Sequence, residues 1–131
     1  MTDTDSSDLR GIRVLVVDDD ADNCEVLAAM LEHNGAHVVT AQSAAEAFSA
    51  FEKEVPHVLV SDIGLPGEDG FALLRRVRAL PSSRGGTVPA IALTGYSHLE
   101  PVDGDVQGFQ AHLTKPIDMD KMLAAVSRVV R

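Results

Sequence analysis

The middle of the chain reads Val58-Leu59-Val60-Ser61-Asp62-Ile63-Gly64-Leu65-Pro66-Gly67, an apolar run that ends at Asp62 and passes into a turn. Short runs rich in β-branched residues are typical of strands buried on both faces of a parallel sheet. A second such run, residues 12–17, ends at the acidic residues 18–20. Because ligands of an open α/β sheet bind beyond the carboxyl ends of its strands, both runs are predicted to deliver carboxylates to one edge.

These carboxylates predict a cation site. Carboxylates that are brought close together repel one another unless a cation lies among them. Their oxygen atoms and their small number suit Mg²⁺, which takes one or two protein carboxylates and keeps several waters. A metal-assisted phosphate site is therefore the first hypothesis for this edge of the sheet.

Strand-like and helix-like segments alternate along the rest of the chain. The predicted strands lie at about 12–17, 37–41, 57–61, 88–93 and 110–113. The predicted helices lie at about 22–33, from the capping box of Ser43 and Glu46 onward, at 70–79, between 97 and 108, and at 118–130. This alternation predicts a five-stranded parallel sheet with five helices on its two faces.

Two of the predicted helices have distinctive sequences. The first has an apolar face that is predicted to be buried, formed by Val26, Leu27, Met30 and Leu31. The fourth contains Pro101, Gly104 and three acidic residues, so we expect it to be short or distorted.

Length and charge restrict the class of protein. At 131 residues the chain is predicted to be one domain over residues 11–131, preceded by a polar, disordered leader over residues 1–10. Eleven basic and 20 acidic residues give a net charge of −9, which disfavours nucleic acids and anionic membrane surfaces as partners. The amino terminus lacks the features of a signal peptide, and no apolar stretch reaches membrane length, so we expect a cytoplasmic protein.

The carboxyl ends of two further strands carry residues suited to phosphate chemistry. Thr94 ends the fourth strand, and Lys115 follows the fifth. In a parallel sheet these ends lie at the same edge as Asp62. One carboxylate could attack phosphorus while the others hold Mg²⁺, which would neutralise the charge of the phosphoryl group. Lys115 would supply a positive charge for the phosphate oxygens, and the hydroxyl of Thr94 a hydrogen bond.

At these residues the chain resembles the receiver domain of two-component response regulators, over residues 11–131. The matching pieces are Val17-Asp18-Asp19, Asp62 with Leu65-Pro66 and Asp69-Gly70, Thr94, and Lys115-Pro116. They occur in the family's order and at approximately its spacing. The resemblance implies a flavodoxin-like, doubly wound fold with strand order 2-1-3-4-5.

The resemblance also implies roles for individual residues. Asp62 matches the phosphoacceptor, and Asp18 and Asp19 match the acidic pair, with Asp19 as the direct Mg²⁺ ligand. Gly64 matches the residue whose backbone carbonyl completes the metal site. The implied phosphoryl donors are a histidine kinase, a histidine phosphotransfer protein or a small acyl phosphate.

Thr94 and Lys115 match the residues that bind the phosphoryl group and carry the conformational switch. The family's switch aromatic is matched by His112, whose imidazole would add a dependence on pH. Gly64 and Tyr96 occupy positions that, in the family, tune the lifetime of the phosphate.

Some local motifs are most similar to receivers of hybrid histidine kinases. They are Ala92-Leu93-Thr94-Gly95-Tyr96, the loop Arg84-Gly85-Gly86, and Gly108-Phe109-Gln110-Ala111-His112-Leu113. The chain itself contains no kinase core, so it is interpreted as a stand-alone receiver or as a fragment, and Met1 favours the former. The downstream partner is not specified by the sequence.

Two alternatives remain open at this point. A haloacid-dehalogenase-like phosphatase would use Asp18 as its nucleophile and Asp20 as its second carboxylate, but this reading leaves Asp62 unexplained. A pseudo-receiver would keep the fold as a binding module without phosphorylation. The favoured interpretation is a receiver that is not an enzyme beyond its own Mg²⁺-dependent phosphorylation and dephosphorylation.

Overall fold

The computed structural model describes residues 8–65, 67–95 and 108–130. Its five strands are β1 (Arg13–Val17), β2 (His37–Ala41), β3 (Val58–Asp62), β4 (Ala90–Thr94) and β5 (Ala111–Thr114). The helices among the described residues are α1 (Ala21–His33), α2 (Ala44–Lys53), α3 (Gly70–Arg78) and α4 (Met119–Val130), with a 3-10 turn at Ser82–Arg84.

The strands form one sheet in the order β2-β1-β3-β4-β5, and every neighbouring pair is parallel. This arrangement confirms the predicted flavodoxin-like fold. The predicted bounds of the described elements agree with the observed ones to within one or two residues. The predicted fourth helix falls on a stretch that, up to residue 107, lies outside the described residues.

Each face of the sheet is covered by its own apolar core. One core packs α1 and α4 against the sheet and includes Leu31 and Met122. The other packs α2 and α3 against the opposite face and includes Phe51 and Leu73. Each of these large side chains is fully buried, or nearly so, and such burial contributes about 1.5–3 kcal/mol per side chain. The central strands are therefore held rigidly between two layers of helices.

The chain enters this core earlier than the sequence indicated. Leu9, which was assigned to the leader, is fully buried among the residues of the α1 and α4 core, and its backbone N–H donates to the carbonyl of Asn34. The packed part of the chain thus includes Leu9.

The buried face of α1 also differs from the prediction. Val26 is 52% exposed, whereas Cys24, Leu27 and Leu31 are buried. These three residues follow the spacing i, i+3, i+7 of a single helical stripe, and Val26 lies beside that stripe.

Within the part of the chain that the structure describes, no helix is long and apolar enough to cross a membrane.

Local capping interactions fix where the helices begin. Asp20 caps α1 by accepting from the backbone N–H groups of Asp22 and Asn23. At α2, Ser43 accepts from the backbone N–H of Glu46, as in the predicted capping box, and Glu46 accepts from the N–H of Gln42, one residue before the cap.

Candidate functional site

The register of the sheet brings the predicted site residues together. Val17 of β1 pairs with Ser61 of β3, so Asp18 and Asp62, one position further along each strand, are neighbours at the carboxyl edge. On the other side of β3, Thr94 of β4 pairs with Thr114 of β5, and Lys115 follows immediately. The ends of β1, β3 and β5 therefore supply the acidic and basic groups of one site, and β4 between the last two supplies Thr94.

Three carboxylates form the acidic part of this site. Asp18, Asp19 and Asp62 each offer an oxygen atom, and these atoms lie within 4.8 Å of one another. Asp18 is fully buried, Asp62 is almost fully buried, and Asp19 is exposed to solvent. A donor set of three carboxylates has the ligand chemistry that a hard divalent cation prefers. The residues therefore fit a metal site, as the sequence predicted.

Lys115 lies between the two buried carboxylates. Its Nζ donates to Oδ2 of Asp18 and to Oδ2 of Asp62, each at 2.9 Å. Burial lowers the pKa of Lys115, but the hydrogen bonds and charges of Asp62 and Asp18 outweigh this effect and leave the pKa raised. The ammonium group is therefore held in its charged form at the centre of the site.

Backbone N–H groups occupy the remaining oxygens of the buried pair. Oδ1 of Asp18 accepts from the N–H of Asp20, and Oδ1 of Asp62 accepts from the N–H of Gly64, each at 2.9 Å. These bonds orient both carboxylates towards Lys115. The peptide bond between Lys115 and Pro116 is cis.

Gly70 allows α3 to approach the end of β3 closely. A Cβ atom at this position would lie 2.5 Å from the carbonyl oxygen of Asp62 and 2.7 Å from Cα of Ile63. Any side chain here would displace the segment that carries Asp62. The Asp69-Gly70 pair is thus explained by the structure: Asp69 caps α3, and Gly70 lets the start of that helix lie against the end of β3.

Thr94 and His112 occupy the positions expected of them on β4 and β5. Thr94 is buried, and its hydroxyl donates to the carbonyl of Leu113 at a long distance of 3.4 Å. His112 is half-buried and pairs in register with Ala92. Tyr96 lies outside the described residues, so its predicted role stays a prediction.

Cys24 contacts the site from beneath, as sequence reasoning did not foresee. Its Sγ lies 3.3 Å from the carbonyl oxygen of Asp18 and 3.7 Å from that of Ala41. Burial raises the pKa of the Cys24 thiol. The position of Cys24, four residues after the N-cap Asp20, was the available signal for its contact with the acidic turn.

A cavity of about 310 Å³ opens beside Asp18 and Lys115, and it too was not predicted. The residues that line it between α1 and the start of α4 are mostly apolar: Asn23, Val26, Leu27, Met30, Pro116 and Ile117. The exposed side chain of Val26 faces this cavity rather than the core.

The family model for the response regulator receiver domain matches residues 14–127, which is most of the chain. The chain belongs to this family. This receiver domain is 47% identical over 116 residues to an uncharacterized 14.6 kDa protein in the sodA1 3′ region of Leptolyngbya boryana. The match covers 88% of this chain and 87% of that protein.

Two further comparisons agree with this assignment. The DNA-binding transcriptional regulator NtrC of Escherichia coli K12 is 38% identical over 92% of this chain, which spans 25% of NtrC. The crystal structure of a putative response regulator from Chloroflexus aurantiacus superposes with a TM-score of 0.77 at 31% identity, covering 91% of this chain and 97% of that one. The predicted family and the predicted signalling class are therefore confirmed.

Proposed function

We propose that this receiver domain accepts a phosphoryl group on Asp62 in a Mg²⁺-dependent reaction, and that phosphorylation changes its binding to a downstream protein. The observation that carries the proposal is the position of Asp62, whose carboxylate lies within one cluster of two further carboxylates and an ammonium group. In this family such a domain is a signalling module, and we propose no turnover of an external substrate.

The proposed transfer forms one bond and breaks one. An oxygen of the Asp62 carboxylate attacks phosphorus, and the bond from phosphorus to the donor's nitrogen or oxygen breaks. The electron pair leaves with the donor, either an imidazole of a histidine kinase or phosphotransfer protein, or the carboxylate of an acyl phosphate. The product on this chain is a mixed anhydride at Asp62.

Other groups of the chain would bind the metal ion and the phosphoryl group. Asp18, Asp19 and Asp62, with the carbonyl of Gly64, are the groups that would hold Mg²⁺, which when bound neutralises phosphoryl charge. Lys115 would then bind a phosphoryl oxygen.

Among the described residues, the hydroxyl of Thr94 makes one hydrogen bond, a long contact of 3.4 Å, so it can turn towards the same group at little cost. His112, half-buried on the neighbouring strand, would respond to that movement as the switch residue.

The cavity beside the site supports a protein as the phosphoryl donor. Its walls are mostly apolar and include Val26, which is 52% exposed, close to Asp18 and Lys115. An apolar surface next to a charged reaction centre suits a partner whose side chains pack there while its phosphoryl group reaches Asp62. We propose a histidine kinase or phosphotransfer protein, in the cytoplasm, as that partner.

The phosphatase alternative is not favoured by the position of Asp20. Its carboxylate accepts from the backbone N–H groups of Asp22 and Asn23 as the cap of α1. Asp20 therefore caps the helix, and it is not among the three carboxylates whose oxygens lie together.

The proposal is tested by incubating the protein with acetyl phosphate and Mg²⁺ and measuring its intact mass. We expect the wild type to gain one phosphate, and expect no gain for Asp62→Asn or without Mg²⁺. A gain by Asp62→Asn that is lost in Asp18→Asn would instead support the phosphatase-like mechanism. No gain with any donor would favour a pseudo-receiver.

A further inference from the structure

The outer side of β2 is an open edge of the sheet. β2 pairs with β1 along one side, and no strand among the described residues lies along the other. The N–H of His37 and the carbonyl of Ala41 form hydrogen bonds on the β1 side. Because the backbone groups of successive strand residues point to alternate sides, Val38 and Thr40 present their N–H and carbonyl groups outwards.

β2 lacks the features that usually protect an edge strand. Its sequence, His37-Val38-Val39-Thr40-Ala41, contains three consecutive β-branched residues and no proline, lysine or glycine. The side chain of Val39 is 37% exposed. An exposed edge of this composition favours pairing with a further strand.

A groove of about 460 Å³ lies between this edge and α2, and Val39, Glu46 and Lys53 are among its lining residues. Glu46 lies at the carboxyl end of β2, since its side chain accepts from the N–H of Gln42. α2 joins two parallel strands and so runs antiparallel to β2, which places Lys53, in its last turn, level with the start of the strand. Both charged side chains are exposed, and Lys53 makes no ion pair with any described residue.

We propose that β2 is the interface of a homodimer, in which β2 of a second copy adds antiparallel to it about a two-fold axis at Val39. In this register Val38 and Thr40 of one copy exchange hydrogen bonds with Thr40 and Val38 of the second. The two Val39 side chains meet on the α2 side of the sheet. Reversal of the second copy brings its Lys53 to Glu46 of the first, and the same pair forms in the other direction.

Symmetry makes a second copy a better occupant of this edge than an unrelated peptide, because each favourable contact forms twice. The interface consists of four backbone hydrogen bonds, one apolar pair and two ion pairs. Such an interface is small, so we expect a weak dimer with a dissociation constant in the micromolar to millimolar range. β1 separates β2 from β3, so the dimer leaves Asp62 open to a donor, and it does not depend on the proposed function.

The first test is the molar mass of the protein in solution, measured by sedimentation equilibrium at concentrations up to about 1 mM. We expect a monomer–dimer equilibrium for the wild type. Val39→Lys should stay monomeric, because it places two like charges opposite each other at the axis. The matched control is Met119→Lys, which changes an exposed apolar residue of α4 and should associate like the wild type.

A mixture of two charge-reversed variants tests the ion pairs. Glu46→Lys and Lys53→Glu should each self-associate about tenfold more weakly than the wild type, since like charges meet twice in each of these dimers. Mixed in equal amounts, they should associate with each other, because the mixed dimer has two pairs of opposite charge. Lys121→Glu, on the exposed side of α4, should associate like the wild type. Glu54→Gln should tighten association, because Glu54 lines the same groove beside Lys53 and opposes the approach of Glu46.

Amide hydrogen exchange measures the register directly. The N–H groups of Val38 and Thr40 should exchange more slowly as the protein concentration rises, whereas that of Val39, which points to β1, should not change. Circular dichroism and labelling by acetyl phosphate show whether each variant is folded.

Three results would overturn the proposed dimer. They are a wild type that stays monomeric, a Val39→Lys variant that dimerises like the wild type, and a mixture of the charge-reversed variants that associates no better than either alone. A monomeric wild type that is still labelled at Asp62 would reject the dimer and leave the proposed function standing.

Discussion

At the amino-terminal edge of the sheet, Arg13 and Arg78 donate to backbone carbonyls, whereas at the carboxyl edge Lys115 donates to two carboxylates. Arg13 bonds to the carbonyl of Val55. Arg78 bonds to the carbonyls of Gly86 and Val88 at 3.0 and 2.7 Å and ties the loop before β4 to α3.

The two edges therefore use charge for different purposes. The amino-terminal contacts join a charged donor to neutral acceptors, and each such bond adds stability without placing like charges together. The carboxyl edge keeps three carboxylates close together around one lysine, an arrangement that a purely structural contact would avoid. We infer that variants at the amino-terminal edge change stability, and that variants at the carboxyl edge change chemistry.

Asp19→Ala should have the largest effect. Because Asp19 is the exposed and unoccupied member of the acidic cluster, its loss should weaken Mg²⁺ binding by about 100-fold or more. Its removal should change the free energy of unfolding by less than about 0.5 kcal/mol. Calorimetric titration with Mg²⁺ and urea unfolding measure the two quantities.

Asp22→Ala is the control for this prediction. It removes an equal charge from an exposed position on α1 one turn away. Wild-type Mg²⁺ affinity in Asp19→Ala, or an equal loss in Asp22→Ala, would contradict the assignment of Asp19 as a direct ligand.

Arg78→Met should show the opposite behaviour. The loss of two hydrogen bonds to backbone carbonyls and of a longer one to the side-chain oxygen of Gln110 should cost about 2–4 kcal/mol of unfolding free energy. The rate of phosphorylation by acetyl phosphate should stay at the wild-type value under conditions where the variant is folded.

Arg75→Met supplies the comparison, because Arg75 is exposed on the same helix and makes no ion pair or hydrogen bond through its side chain within the described residues. It should be nearly neutral for stability. If Arg78→Met were as stable as Arg75→Met, the claim that the amino-terminal edge contributes to stability would be wrong.

The stability that Lys115 contributes at the carboxyl edge should be lost at alkaline pH. Burial opposes the charge of Lys115, but Asp62 and Asp18 prevail and raise its pKa above the usual value of 10.5. A base with a raised pKa stabilises the fold fully below its unfolded pKa, and this contribution is lost as pH rises through the folded value.

Metal-free wild type should therefore lose stability more steeply than Lys115→Met above pH 10.5. Urea unfolding at a series of pH values in the presence of a chelator makes the measurement. Parallel pH profiles for the two proteins would show that Lys115 gains nothing from its carboxylate partners.

Gly64→Ala should have the smallest effect. A Cβ atom at this position would lie 3.6 Å from Oδ1 of Asp62, an ordinary contact that the fold can accept. A methyl group there should hinder water that approaches a phosphorylated Asp62, so the phosphate should survive a few-fold longer. The decay of labelled protein after removal of the donor measures the lifetime, and a shortened lifetime would contradict the steric explanation.

Strands and helices with regular patterns could be predicted from sequence because local signals and packing agree. The runs that became β1 and β3 are mainly apolar, and the sheet buries nearly all of their residues. Val26 was placed wrongly because periodicity fixes a stripe only to within one neighbouring residue, and the choice between Cys24 and Val26 depends on where the sheet lies. Leu9 was missed because a single apolar residue in a polar segment has no periodicity.

The members of the site could be predicted, but their contacts could not. Asp18 and Lys115 each follow a strand and Asp62 ends one, and parallel strands end at one edge, so the convergence of these residues followed from topology. That Lys115 bridges both carboxylates depends on side-chain positions in three dimensions. The cavity beside them arises from the spacing of α1 and the Pro116–Ile117 segment, which no local pattern encodes.

The central claim is that Asp62 carries the phosphoryl group, and reductive trapping locates it most directly. Protein treated with acetyl phosphate and Mg²⁺ is reduced with borohydride, which converts a phosphorylated aspartate to homoserine, and its peptides are then sequenced by mass spectrometry. The account predicts homoserine at position 62 and unmodified aspartate at positions 18 and 19. Homoserine at position 18, or none at any aspartate of a protein that binds Mg²⁺, would contradict it.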